Sequence, residues 1–84
     1  MATDSNAIKD KVRAYIQEVT SVEKSKIHDH SLIFKEGYFD SMGFVLLITF
    51  LEETFSIKTV DSDLLEENFE SINAITDFVV RKLQ

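Results

Sequence analysis

The sequence predicts an all-α fold, a small four-helix bundle with three main helices and one short helix. Apolar residues recur at helical spacing in three separate stretches, within residues 4–19, 41–55 and 71–83. The 84 residues are 44% hydrophobic and 29% charged, which is the balance of a globular chain and the length of one domain. The chain contains no proline and no internal repeat. We therefore expect residues 1–84 to form a single domain.

The composition argues against several classes of protein. The chain has no cysteine, which leaves neither a disulfide framework nor a thiolate metal site. No apolar run is long enough to span a bilayer, and the first residues lack the basic and apolar segments of a signal peptide. A cytoplasmic location is therefore expected.

The formal net charge of −6 is concentrated in the second half of the chain. Residues 1–40 hold six Lys/Arg against seven Asp/Glu, whereas residues 41–84 hold three against eight. Nucleic acid is not expected as a partner, because its binding needs clustered positive charge. An acidic second half suits a partner with a basic surface, although acidity also simply keeps a small protein soluble.

Residues 4–19 are predicted to form the first helix. Asp4 or Ser5 can cap its start, because a side-chain oxygen there accepts a hydrogen bond from a free backbone N–H group. The apolar residues fall on one face, which is expected to pack on the core: Ile8, Val12, Tyr15, Ile16 and Val19.

A long connection follows over residues 20–40, and Ile27, Leu32 and Phe34 are expected to pin it to the core. Connections of this length are uncommon unless they are functional. His28 and His30 invite a zinc-site hypothesis, but no third strong ligand stands at a suggestive spacing. Solvated loop histidines are the favoured interpretation, and no metal site is predicted.

The second helix is predicted to start at Ser41, with Asp40 as its N-cap. At about 100° per residue, its core face holds Phe44, Leu47, Ile48, Leu51 and Phe55. Its opposite face holds Met42, Val45, Leu46, Thr49, Glu52 and Glu53. Exposed apolar side chains with acidic ones beside them are typical of a contact surface. The alternative is that the long loop folds over Met42 and Val45.

Gly43 stands in the first turn of this helix, where a glycine costs up to about 1 kcal/mol relative to alanine. Clearance beside Ser41, for a bulky substituent or an approaching enzyme, is one benefit that would explain it.

Two further helices complete the predicted bundle. Asp61 is expected to cap a short third helix that holds Leu64 and Leu65, followed by a connector whose Phe69 points inward. The last helix is predicted over residues 71–83, with a buried apolar stripe that consists of Ile72, Ile75, Phe78, Val79 and Leu83.

Ser41 is the candidate residue for chemistry in this chain. A hydrolase would need a base beside it, and the chain offers only His28 and His30, without the glycine pattern of a nucleophile elbow. A phosphate ester at Ser41 would be favoured electrostatically by the free N–H groups and the dipole of the helix start. From the residues alone, a plain first-turn helix residue remains the simpler alternative.

Asp40-Ser41-Met42 resembles the Asp-Ser-Leu/Met signature of acyl carrier and peptidyl carrier proteins. The similarity extends to the approach Leu32-Ile33-Phe34-Lys35-Glu36-Gly37 and to the apolar and acidic residues of the second helix, and it covers about residues 8–83. The resemblance implies an acyl-carrier-type bundle without catalytic activity. It also implies covalent 4′-phosphopantetheine from coenzyme A, whose thiol holds an acyl or aminoacyl group as a thioester.

The resemblance also implies roles for residues of this chain. Ser41 would be the attachment site, and Asp40 would cap the helix and help the transferase to align magnesium-bound coenzyme A. A partner-binding surface would consist of Met42, Val45, Leu46 and Glu53. The implied partners are a phosphopantetheinyl transferase, an adenylating ligase or acyltransferase, and downstream acyl-using enzymes, which a monomeric carrier would visit in turn.

Details of the motif point to a subtype within this family. Asp40-Ser41-Met42-Gly43 is similar to D-alanyl carrier proteins and stand-alone aminoacyl carriers, and Leu46 replaces a residue that is commonly acidic in fatty acid carriers. We therefore expect a carrier that serves a specialised biosynthetic pathway. The alternative is a helical interaction module that keeps the carrier fold and has no prosthetic arm.

Overall fold

The computed structural model describes residues 4–20 and 27–84, and within them all regular structure is helical. Helix α1 spans Ser5–Thr20, α2 spans Ser41–Phe55, α3 is a single turn at Glu66–Phe69, and α4 spans Ile72–Leu83. A short 3-10 turn at Asp61–Asp63 precedes α3. The predicted bundle of three main helices and one short helix is confirmed. No helix in these two ranges is long and apolar enough to cross a membrane.

The three main helices begin at side-chain caps, whereas α3 has none. Asp4 Oδ1 accepts hydrogen bonds from the backbone N–H groups of Asn6 and Ala7, at 3.0 and 3.2 Å. Ser71 Oγ accepts one from the N–H of Ala74 at 3.1 Å at the start of α4. Each cap satisfies donors that the first helical turn leaves free.

The core lies between α1 and α4 and is closed by α2 and by the connection before it. Helices α1 and α4 pack on each other, and α3 packs on α4. Aromatic rings join α2 to its neighbours, because Tyr15 of α1 stacks on Phe50 at 4.0 Å and Phe44 meets Phe69 of α3 edge to face at 5.3 Å. The buried apolar residues are Ile8, Val12, Ile16, Ile27, Ile33, Phe39, Leu47, Leu51, Ile57, Phe69, Ile72, Ile75, Phe78 and Val79.

The connection between α1 and α2 is part of the core, as expected, but through partly different residues. Ile27 is buried as predicted, whereas Leu32 and Phe34 are only partly buried and Ile33 between them is fully buried. The N–H of Ile33 donates to the carbonyl of Glu70 at 2.9 Å, which ties this segment to the end of α3. Part of the predicted connection, residues 21–26, lies outside the described residues.

Several predicted positions at the ends of helices are wrong. Val19 and Leu83 continue the apolar stripes of α1 and α4, but they are 51% and 41% exposed because the stripes run past the core. The third helix holds neither Leu64 nor Leu65. Both side chains are exposed between the 3-10 turn and α3, which starts only at Glu66. The inward position of Phe69 is confirmed, since this side chain is fully buried.

The end of α2 has an unusual backbone. Its C-cap residue Ser56 adopts the left-handed conformation, with φ of 55° and ψ of 42°. Helices commonly end in this conformation, but glycine is the residue that adopts it without a steric cost. The turn is secured a few residues later, where Glu52 Oε2 accepts hydrogen bonds from the N–H of Thr59 at 2.9 Å and from its hydroxyl at 2.8 Å.

Candidate functional site

Asp40 fixes the position of Ser41 at the start of α2. Asp40 has an extended backbone, and its Oδ1 accepts a hydrogen bond from the N–H of Gly43 at 2.9 Å. The carbonyl of Asp40 then accepts the first helical hydrogen bond, from the N–H of Phe44 at 2.9 Å. The predicted cap and the predicted start of α2 at Ser41 are both confirmed.

Ser41 is exposed at the positive end of the helix dipole. A phosphate group on its hydroxyl would lie near the free N–H groups of the first turn, which favours negative charge there. This local geometry is not special to Ser41. The pair Asp4-Ser5 repeats it, with Asp4 as cap and an exposed Ser5 as the first residue of α1. What distinguishes Ser41 must therefore lie in its surroundings.

Two apolar grooves flank the start of α2. The first, the α1/α2 groove, has a volume of about 330 Å³ and lies between α1 and the first turns of α2. It is lined mainly by Tyr15, Val19, Tyr38, Phe39, Met42 and Leu46. The second, the Ser41 groove, has a volume of about 570 Å³ and lies between α2 and the segment that precedes α3. Its walls include Phe34, Ser41, Phe44, Val45 and Leu64.

The exposed apolar face of α2 is confirmed. Met42 is 71% exposed, Val45 61% and Leu46 55%, so the part of the preceding connection that the structure describes, residues 27–40, does not cover them. Glu53 is exposed further along the helix. Met42 and Leu46 border the α1/α2 groove, whereas Val45 borders the Ser41 groove, and the face is therefore shared between the two.

Gly43 has a structural role besides the clearance that the sequence suggested beside Ser41. A Cβ atom at this position would stand 3.2 Å from Cδ2 of Phe39 and 3.5 Å from Oδ1 of Asp40. Both atoms belong to residues before the helix, and the 3.2 Å distance to Phe39 is shorter than an ordinary carbon–carbon contact. Gly43 therefore lets the ring of Phe39 pack under the first turn.

Phe39 and Val19 are the site residues that sequence reasoning missed. Phe39 is buried and its ring meets Phe34 edge to face at 5.8 Å, while Phe34 meets Phe44 at 5.7 Å. An apolar residue before the N-cap with another at the fourth helical position is the pattern of a hydrophobic staple, and Phe39 and Phe44 fit it. That pattern was available in the sequence. Val19 offered no such signal.

The wall of the Ser41 groove is held in place from α4. Asp63 Oδ2 accepts hydrogen bonds from Lys82 Nζ at 2.7 Å and from the N–H of Val60 at 3.0 Å. These bonds lower the pKa of Asp63, with the bond from Lys82 as the largest cause. Since Leu64 follows Asp63 directly, the ion pair fixes the segment that carries this wall.

The two histidines lie apart from Ser41. Their rings stack on each other, with centroids 5.8 Å apart. They line a separate cleft together with Asp10, Arg13 and Asp29, and no described residue of this cleft lines either groove beside α2. Arg13 donates to Asp29 and lowers the pKa of that carboxyl group. Across residues 4–20 and 27–84, no three histidine or acidic side chains are grouped to hold a metal ion. The structure thus brings neither His28 nor His30 into the site.

The structure defines a class of protein: a small helical bundle with an exposed serine at the start of α2, beside an apolar groove. The comparisons with known proteins agree with this class. The family model described as "Phosphopantetheine attachment site" matches residues 10–79. An acyl carrier protein of Cyanophora paradoxa is 29% identical over 80 residues, which cover 95% of this chain and 76% of that protein.

The chain belongs to the phosphopantetheine-attachment family. Its cofactor is therefore phosphopantetheine, and the protein is a carrier of acyl groups and not an enzyme. Carriers of this family work with phosphopantetheinyl transferases and with enzymes that handle acyl groups. The described residues fit the cofactor, because an exposed serine hydroxyl stands at a helix start and opens onto an apolar groove.

Proposed function

We propose that Ser41 is the residue that carries phosphopantetheine. The observation that supports this proposal is the position of Ser41, exposed as the first residue of α2 and part of the wall of the Ser41 groove. Ser5 shares the cap geometry but borders neither groove beside α2. The terminal thiol of the arm would hold the acyl group as a thioester.

The attachment reaction needs from this chain only a positioned hydroxyl. Ser41 Oγ forms a bond to the phosphorus on the pantetheine side of the coenzyme A pyrophosphate, and the bond from that phosphorus to the bridging oxygen breaks. Adenosine bisphosphate leaves with that oxygen, and the hydroxyl proton passes to a base on the transferase. Asp40 keeps Ser41 at the helix start by capping α2, and its carboxylate would also help to align the magnesium-bound coenzyme A.

The experiment that tests the site compares two serines with the same local geometry. The apo protein is incubated with coenzyme A, magnesium and a broad-specificity phosphopantetheinyl transferase, and intact mass is measured. We expect the wild type and Ser5→Ala to gain one phosphopantetheine and Ser41→Ala to gain none. Modification of Ser41→Ala, or loss of modification in Ser5→Ala, would refute the assignment. An unmodified wild type beside a modified control carrier would favour the alternative of an interaction module without an arm.

The cargo that we propose is an acyl or aminoacyl group of a specialised pathway, with an aminoacyl group favoured. Asp40-Ser41-Met42-Gly43 resembles the motif of D-alanyl and aminoacyl carriers, and the exposed apolar Leu46 replaces a commonly acidic residue of fatty acid carriers. An adenylating ligase or acyltransferase would load the arm, and downstream acyl-using enzymes would unload it. Met42, Val45, Leu46 and Glu53 would form the surface that these enzymes contact. We also propose that residues 1–84 act as one monomeric domain.

The cargo proposal is tested on the protein purified from its own cells under conditions that preserve thioesters. Intact mass before and after hydroxylamine treatment gives the mass of the group on the arm. An increment that matches an aminoacyl group supports the proposal. A series of increments that matches saturated alkyl chains of growing length would refute it and assign the protein to fatty acid synthesis.

A further inference from the structure

We propose that the α1/α2 groove is the docking site of the phosphopantetheinyl transferase, which inserts an apolar side chain between Val19 of α1 and Met42 and Leu46 of α2. This inference rests on the proposed function, because it concerns the enzyme that modifies Ser41. It adds α1 to a contact surface that the sequence placed on α2 alone.

The first step of the argument concerns reach. An enzyme that acts on the end of a loaded arm can work at a distance from the carrier. The transferase must bring the phosphorus of coenzyme A to the hydroxyl of Ser41 itself, so it has to contact the surface that surrounds the start of α2. Two concave parts of that surface, among the described residues, are the grooves beside α2.

The second step concerns the division of the two grooves. Ser41 forms part of the wall of the Ser41 groove and is not part of the α1/α2 groove. The pantetheine of coenzyme A must approach the hydroxyl, and the Ser41 groove is the one that opens onto it. The α1/α2 groove borders Met42 and Gly43, the next residues of the same helical turn, and does not include Ser41, so we assign it to protein contact.

The third step concerns chemistry. Val19, Met42 and Leu46 are large apolar side chains, each more than half exposed, on two helices around one groove. Among the described residues of the lining, Asp40 is the one that is charged, and its carboxylate is bound to the N–H of Gly43. A groove of this kind is complementary to an apolar side chain and offers little to a basic one. Contact here should therefore depend weakly on salt.

The fourth step concerns Val19. A valine on the apolar stripe of α1 is expected to face the core, yet 51% of it is exposed at the rim of the groove. Exposed apolar groups that cluster around a concavity mark contact sites more often than isolated ones do. Val60 provides a matched comparison, because it is the same residue type, is 55% exposed, and borders neither groove beside α2.

The test compares Val19→Gln with Val60→Gln as substrates of a broad-specificity phosphopantetheinyl transferase. We expect Val19→Gln to raise KM for the carrier, with kcat unchanged, and to lower kcat/KM roughly five- to tenfold. This ratio to wild type should be the same at low and high sodium chloride. Val60→Gln should behave as wild type. Thermal melting confirms that both variants are folded, and Val19→Ala, which only shortens the side chain, should give a smaller loss in the same direction.

Equal kcat/KM for Val19→Gln and wild type would overturn the inference, as would an equal loss in Val60→Gln. A loss in Val19→Gln that disappears at high salt would also overturn it, because it would indicate an electrostatic contact. Failure of the docking inference is distinct from failure at Ser41. In the first case wild type still gains one phosphopantetheine at the end point and Ser41→Ala gains none. In the second case either wild type gains none or Ser41→Ala is still modified.

Discussion

At the scale of single residues, Asp40 combines two roles that a substitution can separate. Its Oδ1 caps α2 through the N–H of Gly43, and its charge lies one residue before Ser41, the proposed attachment site. Asparagine caps helices about as well as aspartate but carries no charge. The substitutions Asp40→Ala and Asp40→Asn therefore test the helix cap and the modification of Ser41 independently.

We expect Asp40→Ala to lower the free energy of unfolding by about 1 kcal/mol, because the N–H of Gly43 loses its acceptor. Asp40→Asn should stay within a few tenths of a kcal/mol of wild type. If the charge helps to align magnesium-bound coenzyme A, both variants lose modification rate alike. Urea unfolding and initial rates of phosphopantetheine transfer measure the two effects. A stable Asp40→Asn variant with wild-type rates would show that Asp40 acts only as a cap.

The sequence predicted the cap and the exposed face of α2 well, and the residues at the rims of the two neighbouring grooves poorly. Asp40, Ser41 and the outward face of α2 follow from local rules, since a cap and a helical period are properties of neighbouring residues. Val19 could not be placed in this way. Whether the last turn of a stripe is covered depends on which element packs there, and this is decided by the tertiary structure.

At the scale of elements, the connection before α2 behaves as part of the core. Ile33 is fully buried and its N–H donates to Glu70, which precedes α4. The sequence indicated that this segment is pinned to the core, but it favoured the neighbours of Ile33. A segment without helical or strand periodicity gives no rule for which of three adjacent apolar residues points inward.

We expect Ile33→Ala to lower the free energy of unfolding by about 2–5 kcal/mol, because the deletion leaves a cavity among fully buried side chains. Leu32→Ala, one residue earlier and partly exposed, is the matched control and should cost distinctly less. Equilibrium denaturation in urea gives both values. Equal losses for the two variants would show that the connection does not hold the orientation described here.

At the scale of the whole molecule, ion pairs join segments that are distant in the sequence. Arg13 and Lys9 of α1 bind Asp29 in the connection, whose carbonyl accepts the N–H of Asn73 of α4 at 2.9 Å. Lys82 of α4 binds Asp63 beside the Ser41 groove. Hydrogen bonds from these cations lower the pKa values of Asp29 and Asp63 in the folded state. The stability they contribute is present above the pKa of the unfolded chain and is lost as the pH falls through the lower folded pKa.

We therefore expect the free energy of unfolding to fall on acidification from roughly pH 4 downward. In Lys82→Met the folded pKa of Asp63 returns towards its ordinary value, so the same acidification should remove less stability than in wild type. Lys11→Met, which removes an exposed lysine of α1 that has no salt bridge in the described part of the chain, is the control and should keep the wild-type profile. Urea unfolding at pH 6 and at pH 3 measures the difference. A Lys82→Met profile as steep as that of wild type would contradict the assigned cause.

The left-handed backbone conformation of Ser56 carries a steric cost, which a single substitution can remove. We expect Ser56→Gly to raise the free energy of unfolding by roughly 0.5–1 kcal/mol, because glycine adopts a positive φ without a steric cost. Ser62→Gly, at a residue without a positive φ, should lower it, and thermal melting compares the two. Ser56 borders neither groove beside α2, so partner contact should be unaffected. The stabilised variant would then tolerate destabilising substitutions on the exposed face of α2. Such substitutions are needed to change which partner enzymes a carrier binds.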